Sequence, residues 1–223
     1  MSPRPYRLGQ REAAASQTRV RILEAARTLL ASESGPGSFS IDAVASAAGV
    51  VRMTVYYQFK SKQGLLEALF DDLARRGGLE AIPAAFARKD PVEGLDALIA
   101  IFCRFYQSER IVLRRLRAAA LLDPELEASL RARDGMRRRA LQTLIGRVHE
   151  AQGRHEAEDA RHDIIDLVQA LTSFETFEIL VATRRPERVA KLISHTARGL
   201  LAVDQQPKVD QRPKGRASRR KPG

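Results

Sequence analysis

Cysteine occurs once, at Cys103, in a chain of 223 residues. A lone thiol excludes an internal disulfide and fits a reducing compartment. Long apolar runs are missing too: no stretch reaches the roughly 18 residues that a membrane span requires, and the opening MSPRPYRLGQREAAAS has no apolar core of signal-peptide length. A soluble, cytoplasmic protein without a membrane partner is the expectation. The constellations of catalysis are absent as well, with no phosphate-cradling glycine loop and no nucleophile elbow. The four histidines, His149, His155, His162 and His195, match no metalloprotease or zinc-finger spacing. His155, Asp159 and His162 fall at helical spacing, where a solvated polar cluster is the plainer reading than a metal site. No cofactor is implied and an enzyme is not expected. Alternating strand patterns are also lacking, so the class is all-α.

Charge is what the chain has in excess, with 38 Lys and Arg against 27 Asp and Glu, a net +11. It lies at the two ends. Residues 1–62 hold nine basic and four acidic side chains, and residues 204–223 hold seven and two, so each end carries +5 and the body between them only +1. Such a distribution points to a polyanion met by the N-terminal region, with the body serving another purpose. Residues 1–15 and 204–223 read as flexible basic segments, too poor in apolar side chains to order themselves. The N-terminal arm suits sequence-blind phosphate contacts, and the C-terminal tail reads as a solvated segment.

Residues 40–62, SIDAVASAAGVVRMTVYYQFKSK, carry the most specific signal. Ser40 is an N-cap for a short helix from Ile41 to about Ala47, and Gly49 supplies the positive φ of a tight turn. A second helix follows from Arg52 to Phe59, with Val55 and Phe59 on one face toward the core. Arg52, Met53, Thr54, Tyr56, Tyr57 and Gln58 are left around the remaining surface. Two short helices crossing at a glycine form a helix-turn-helix.

At Ala48-Gly49-Val50, Thr54-Val55-Tyr56-Tyr57-Gln58-Phe59 and Lys60-Ser61-Lys62 the chain resembles the TetR/AcrR family of bacterial transcriptional regulators. The close resemblance spans about Thr18 to Leu69, and a looser one extends over most of the remainder. Two departures stand out. Val51 replaces the usual capping residue, and Met53 stands where a small residue is common. The resemblance implies that Thr54 and Tyr56 bond phosphates and that Lys62 adds charge at a helix N-terminus. Arg52, Met53, Tyr57 and Gln58 are the candidates for base edges, since Arg suits guanine, Gln suits adenine and Met packs on a thymine methyl.

Helical spacing predicts a first helix through Val20, Leu23, Ala26 and Leu30, stopped by the loop 33–38. Ser61 caps a fourth helix from Lys62 to about Arg76, ended by Gly77 and Gly78. Further helices are expected at about 91–107, 109–122, 124–152, 156–184 and 186–202. The chain thus divides into the arm, a DNA-binding unit at 16–62, a helical body at 63–203 and the tail.

Phe102, Phe105 and Tyr106 recur at helical spacing in the body, and Phe70, Leu116 and Leu121, with Phe86 and Leu122 beside them, are placed to close an apolar cavity. That is the form of a small-molecule site, although the same stripe also reads as plain core. Arg110, Arg114, Arg115 and Arg117 suit an anionic effector or a solvated face. The last two helices are apolar over a wide arc, through Ile165, Val168, Phe174, Ile179, Val189, Ile193 and Leu200. The resemblance implies that they form a homodimer, whose recognition helices would meet an inverted repeat of double-stranded DNA. The function expected is a sequence-specific regulator, a repressor released by a small-molecule effector. The alternative is a sequence-blind nucleoid-type DNA-binding protein.

Overall fold

The computed structural model describes residues 4–32, 39–153 and 158–203, with side chains described for residues 12–32, 39–153 and 160–202. Among the described residues every regular element is a helix: α1 (Arg4–Ala31), α2 (Ile41–Ala47), α3 (Arg52–Phe59), α4 (Lys62–Arg76), α5 (Ile82–Phe86), α6 (Pro91–Ser108), α7 (Arg110–Ala120), α8 (Pro124–Ala151), α9 (Glu158–Leu171), α10 (Phe174–Val181) and α11 (Pro186–Val203). A single 3-10 turn, Leu79–Ala81, joins α4 to α5. Loop 33–38, tail 204–223 and His155 lie outside the described residues, as does the side chain of Asp159.

Local chemistry sets the boundaries. Ser40 Oγ accepts from the Ala43 amide and Ser61 Oγ from the Gly64 amide, each satisfying a donor that its helix start leaves open. Asp90 and Asp123 do the same for α6 and α8, each followed by proline at the first helical position. Gly49 has φ 63° in the α2–α3 turn, a conformation that costs a glycine nothing.

Two expectations differ from the structure. Residues 4–15 form the first turns of α1 instead of a separate flexible arm. The long helix expected over 156–184 is broken at Thr172 and Ser173 into α9 and α10. Thr172 Oγ1 bonds back to the Val168 carbonyl, and its own carbonyl is taken by Tyr106 Oη and Arg137 Nη1. Ser173 then caps α10 by accepting from the Thr176 amide. Side chains have replaced the ladder bonds that would have carried the helix onward.

Two apolar clusters hold the fold. The first gathers Ile22, Ala26, Leu30, Val44, Val55, Phe59, Leu65, Leu66, Leu69 and Leu73, and reaches Leu116, Leu126 and Leu130 of α7 and α8. Helix α4 therefore shares a core with α1 to α3, and that core continues into the body. The second cluster joins α6, α8, α9, α10 and α11 around Leu98, Ile99, Leu144, Ile165, Phe177 and Ile193.

Candidate nucleic-acid interface

Helix α3 is anchored in the first cluster by its two buried side chains, Val55 and Phe59, with Tyr56 packed partly against it. Its opposite face is open. Met53 and Tyr57, one turn apart, are 71% and 75% exposed, although each is large and mostly apolar. With Thr54 and Tyr56 they line a shallow hollow. Lys60 Nζ lies 5.4 Å from the Tyr57 ring centre, and its backbone takes φ 70°, a left-handed corner unusual for a residue with a side chain. The corner follows from the tight α3–α4 junction. Gly64 lies so close to the Phe59 carbonyl that an added Cβ would collide with it.

Arg52 is exposed yet tied on two sides. Its Nη1 bonds Asp42 of α2 at 2.7 Å, and Nη2 donates to Tyr56 Oη at 3.1 Å. The Tyr56 bond and the Asp42 charge hold the guanidinium above its ordinary pKa. Val51, at the start of α3, makes no side-chain cap, and the Thr54 amide bonds the Val51 carbonyl at 2.9 Å instead.

Gln58 and Lys62 are placed differently from the expectation. Gln58 is half-buried, and its Nε2 donates to the Ala15 carbonyl at 3.3 Å while its backbone carbonyl accepts from Arg19 Nη1 at 3.1 Å. The Arg19 guanidinium also stacks over Phe59, 4.4 Å from the ring centre. Helix α1 thus braces the end of α3 with Arg19, a residue that no motif singled out. Lys62 Nζ is paired with Asp123, the capping residue of α8. Burial raises the Asp123 pKa, but the bonds from Lys62 and from the Leu126 and Glu125 amides outweigh it and leave the carboxyl below its usual range.

That pair begins a polar seam between α4 and α8. Gln63 bonds Ser129, while Arg133 reaches Glu67 and, at 3.1 Å, Asp71. On the far side of α4, Arg76 bonds Glu24 of α1 at 2.7 Å. Arg27 of α1 holds the buried Glu109 at 3.1 Å.

The body contains a cavity of about 330 Å³ whose walls come from α4 to α8. Phe70, Phe102, Phe105 and Tyr106 line it. Leu116 and Leu121 do not: Leu116 is wholly buried in the first cluster, and Leu121, at the end of α7, is 85% exposed. Phe86 packs on the second cluster and Leu122 is exposed. Arg110 and Arg114 both bond Glu178 of α10, which lowers its pKa against the upward push of burial. Arg117, Arg133 and Arg137 do reach the cavity wall, and the last two carry no signal in the sequence pattern.

The residues expected at a dimer interface mostly point inward. Ile165, Val168, Phe174, Val189 and Ile193 are buried within the second cluster, and Leu200 is half-buried against it. Only Ile179 is well exposed, at 73%. A helix with apolar side chains on both faces shows nothing in its spacing of which face the chain covers itself. The outward apolar side chains of α9 and α11 are Leu167 and Leu192. Among the described residues no group of acidic, histidine and cysteine side chains is placed to hold a metal ion, and no helix is long and apolar enough to cross a membrane.

Residues 22–69 match the family model for bacterial regulatory proteins of the tetR family. No curated protein matches the chain. Solved structures do. A putative TetR-family transcriptional regulator from Rhodococcus sp. is 20% identical, with TM-score 0.63 over 83% of this chain and 99% of that one. NalD of Pseudomonas aeruginosa, described as the secondary repressor of the MexAB-OprM multidrug efflux pump, is 21% identical, with TM-score 0.64 over 86% of this chain and all of that one.

Proposed function

From a chain whose residues 22–69 match the tetR-family model and whose described residues take a TetR-like fold, we propose a transcriptional regulator that binds an inverted-repeat operator in double-stranded DNA as a homodimer. The observation that carries this reading is the open face of α3, where Met53 and Tyr57 are exposed beside Thr54 and Arg52 on a helix fixed to the core by its other side. A protein does not ordinarily leave two such side chains in water on so short a helix without a surface to meet. Laid in a major groove, Met53 and Tyr57 reach base edges, whereas Thr54 and Tyr56 meet phosphates. Arg52 joins the base readers on exchanging Asp42 for DNA. Gln58 braces α3 against α1, and Lys62 ties the start of α4 to α8. The excess positive charge of residues 1–62 supplies the sequence-independent attraction.

The outer faces of α9 and α11, with Leu167 and Leu192, join two copies so that their α3 helices enter successive grooves about 34–36 Å apart. A small molecule in the α4–α8 cavity shifts the setting of α4 and releases the operator, which makes the protein a repressor. The requirement is only that DNA and ligand prefer different settings.

Selection of bound duplexes from a random pool tests the reading. An enriched inverted repeat, favoured over unrelated DNA by a factor of about 1,000 or more at physiological salt, is the expected result. Uniform recovery of all sequences overturns it in favour of sequence-blind binding.

A further inference from the structure

Four aromatic side chains, Phe70, Phe102, Phe105 and Tyr106, face the cavity that α4 to α8 enclose, and four charged ones, Arg117, Arg133, Arg137 and Asp134, stand among them. What a guest molecule meets there depends on whether those charges are already matched. They are matched.

Arg117 pairs with Glu175 at 2.8 Å and with Asp134 at 3.5 Å. Arg137, whose side chain is 6% exposed, bonds Asp134 at 3.3 Å and the Thr172 and Gln169 carbonyls. Arg133 pairs with Glu67 and, at 3.1 Å, with Asp71. Three guanidinium groups thus stand against four carboxylates, and Glu175 and Asp71 among the latter are 58% and 71% exposed, so water screens the small surplus. The Nε atoms of the three arginines are buried from solvent and cavity alike and offer a guest no donor. Tyr106 donates its hydroxyl to the Thr172 carbonyl, and burial pushes its pKa up to about 12, so it stays neutral at any ordinary pH. The Phe70 ring already has a cation of the chain's own over it, the Arg133 guanidinium 5.4 Å from the ring centre.

We propose that this cavity takes an uncharged, largely hydrocarbon molecule about the size of two fused rings. The proposal deepens the effector-release reading and rests on it for its regulatory meaning. A guest carboxylate would have to displace one that the arginines already hold, and a guest ammonium would sit among three guanidinium groups whose shared Asp134 is taken twice over. Either ion leaves water for no new partner, whereas a hydrocarbon gains by leaving it. The rings add aromatic contacts: Phe102 and Tyr106 stack with centres 6.2 Å apart, and Phe105 leans on Tyr106 at 5.6 Å. The volume of about 330 Å³ is roughly twice the ~150 Å³ of a cavity that holds one benzene. Arg110 and Arg114, which with Arg117 suit an anion in the sequence, are both bound to Glu178.

Fluorescence titration of the full chain, which contains no tryptophan, with naphthalene, 2-naphthoate and (2-naphthyl)methylammonium separates shape from charge. Naphthalene is expected to bind about tenfold or more tighter than either ion, because each ion is desolvated without a partner. Ala140→Phe, which fills the cavity from α8, should weaken naphthalene by about tenfold or more, and Ala74→Phe, which fills it from α4, gives the same readout if the first variant does not fold. Asp134→Asn removes a matching charge from the wall and should raise 2-naphthoate affinity severalfold while leaving naphthalene as it was. Either ion binding as tightly as naphthalene overturns the proposal, as does binding of none of the three. So does naphthalene binding that survives both phenylalanine variants, or a 2-naphthoate affinity that Asp134→Asn leaves unchanged. The regulator reading fails separately: a chain that binds naphthalene but enriches no duplex keeps this site and loses that function.

Discussion

Gln58 and Tyr57 are neighbours in sequence with opposite surroundings. Tyr57 stands in the open, while Gln58 is turned back onto α1, its amide bonded to Ala15. Tyr57→Ala should therefore change the preferred base pair at one or two operator positions, at about 1–3 kcal/mol each, with little effect on folding. Gln58→Ala should instead lower unfolding free energy by about 0.5–1.5 kcal/mol and weaken all operators alike, because it loosens the brace behind α3. Competition binding against single-base operator variants, with denaturant melts alongside, decides this; a changed base preference in Gln58→Ala shows that the side chain swings out to DNA. The motif made both residues visible in the sequence. Which of them faced α1 was not legible, since no spacing rule relates residue 58 to residue 15.

At the scale of elements, the α4–α8 seam is where the two functions proposed for the chain meet. Asp123 caps α8 and pairs with Lys62, and its pKa is held down in the folded chain. A depressed carboxyl contributes stability above its unfolded pKa of about 3.9, and that stability is lost as pH falls through the lower folded value. Glu178, bonded by Arg110 and Arg114, adds to the same acid-side loss. Asp123→Asn should flatten the fall in denaturant midpoint between about pH 6 and pH 3, and a profile parallel to the parent would show that the pair contributes nothing. Arg133 spans the seam from the cavity wall to Glu67 and Asp71 of α4. Arg133→Met is expected to leave operator affinity within about threefold of the parent, while ligand bound in the cavity no longer changes it. Full retention of ligand response in that variant would remove Arg133 from the coupling path. Capping serines, Ser40 and Ser61, made the starts of α2 and α4 readable, whereas the aspartate caps of α6 and α8 came from the structure. The α9–α10 break escaped because the apolar pattern runs on through Thr172, and only Ser173 hinted at a new start.

For the whole molecule the question is which apolar side chains the chain keeps for itself. Ile193 is buried in the second cluster, and Ile193→Ala should cost about 2–5 kcal/mol of stability. Leu167 and Leu192 face outward, and replacing both with Glu should yield monomers of unchanged melting temperature that bind operator at least tenfold more weakly. Sedimentation equilibrium and thermal melts check both halves. A stable dimer in the double variant would move the interface elsewhere, with exposed Ile179 on α10 the next surface to test.

The sequence by itself determined the helical class, the caps, the Gly49 turn and the two core anchors of α3, because each depends on residues a few positions apart along one helix or turn. Only the tertiary structure decided which arginines reach the cavity, that Lys62 belongs to Asp123, and that five of the residues expected at an interface are interior. These depend on how helices distant in sequence are rotated against one another. A helix that is apolar on two sides carries no mark of which side its own chain will cover.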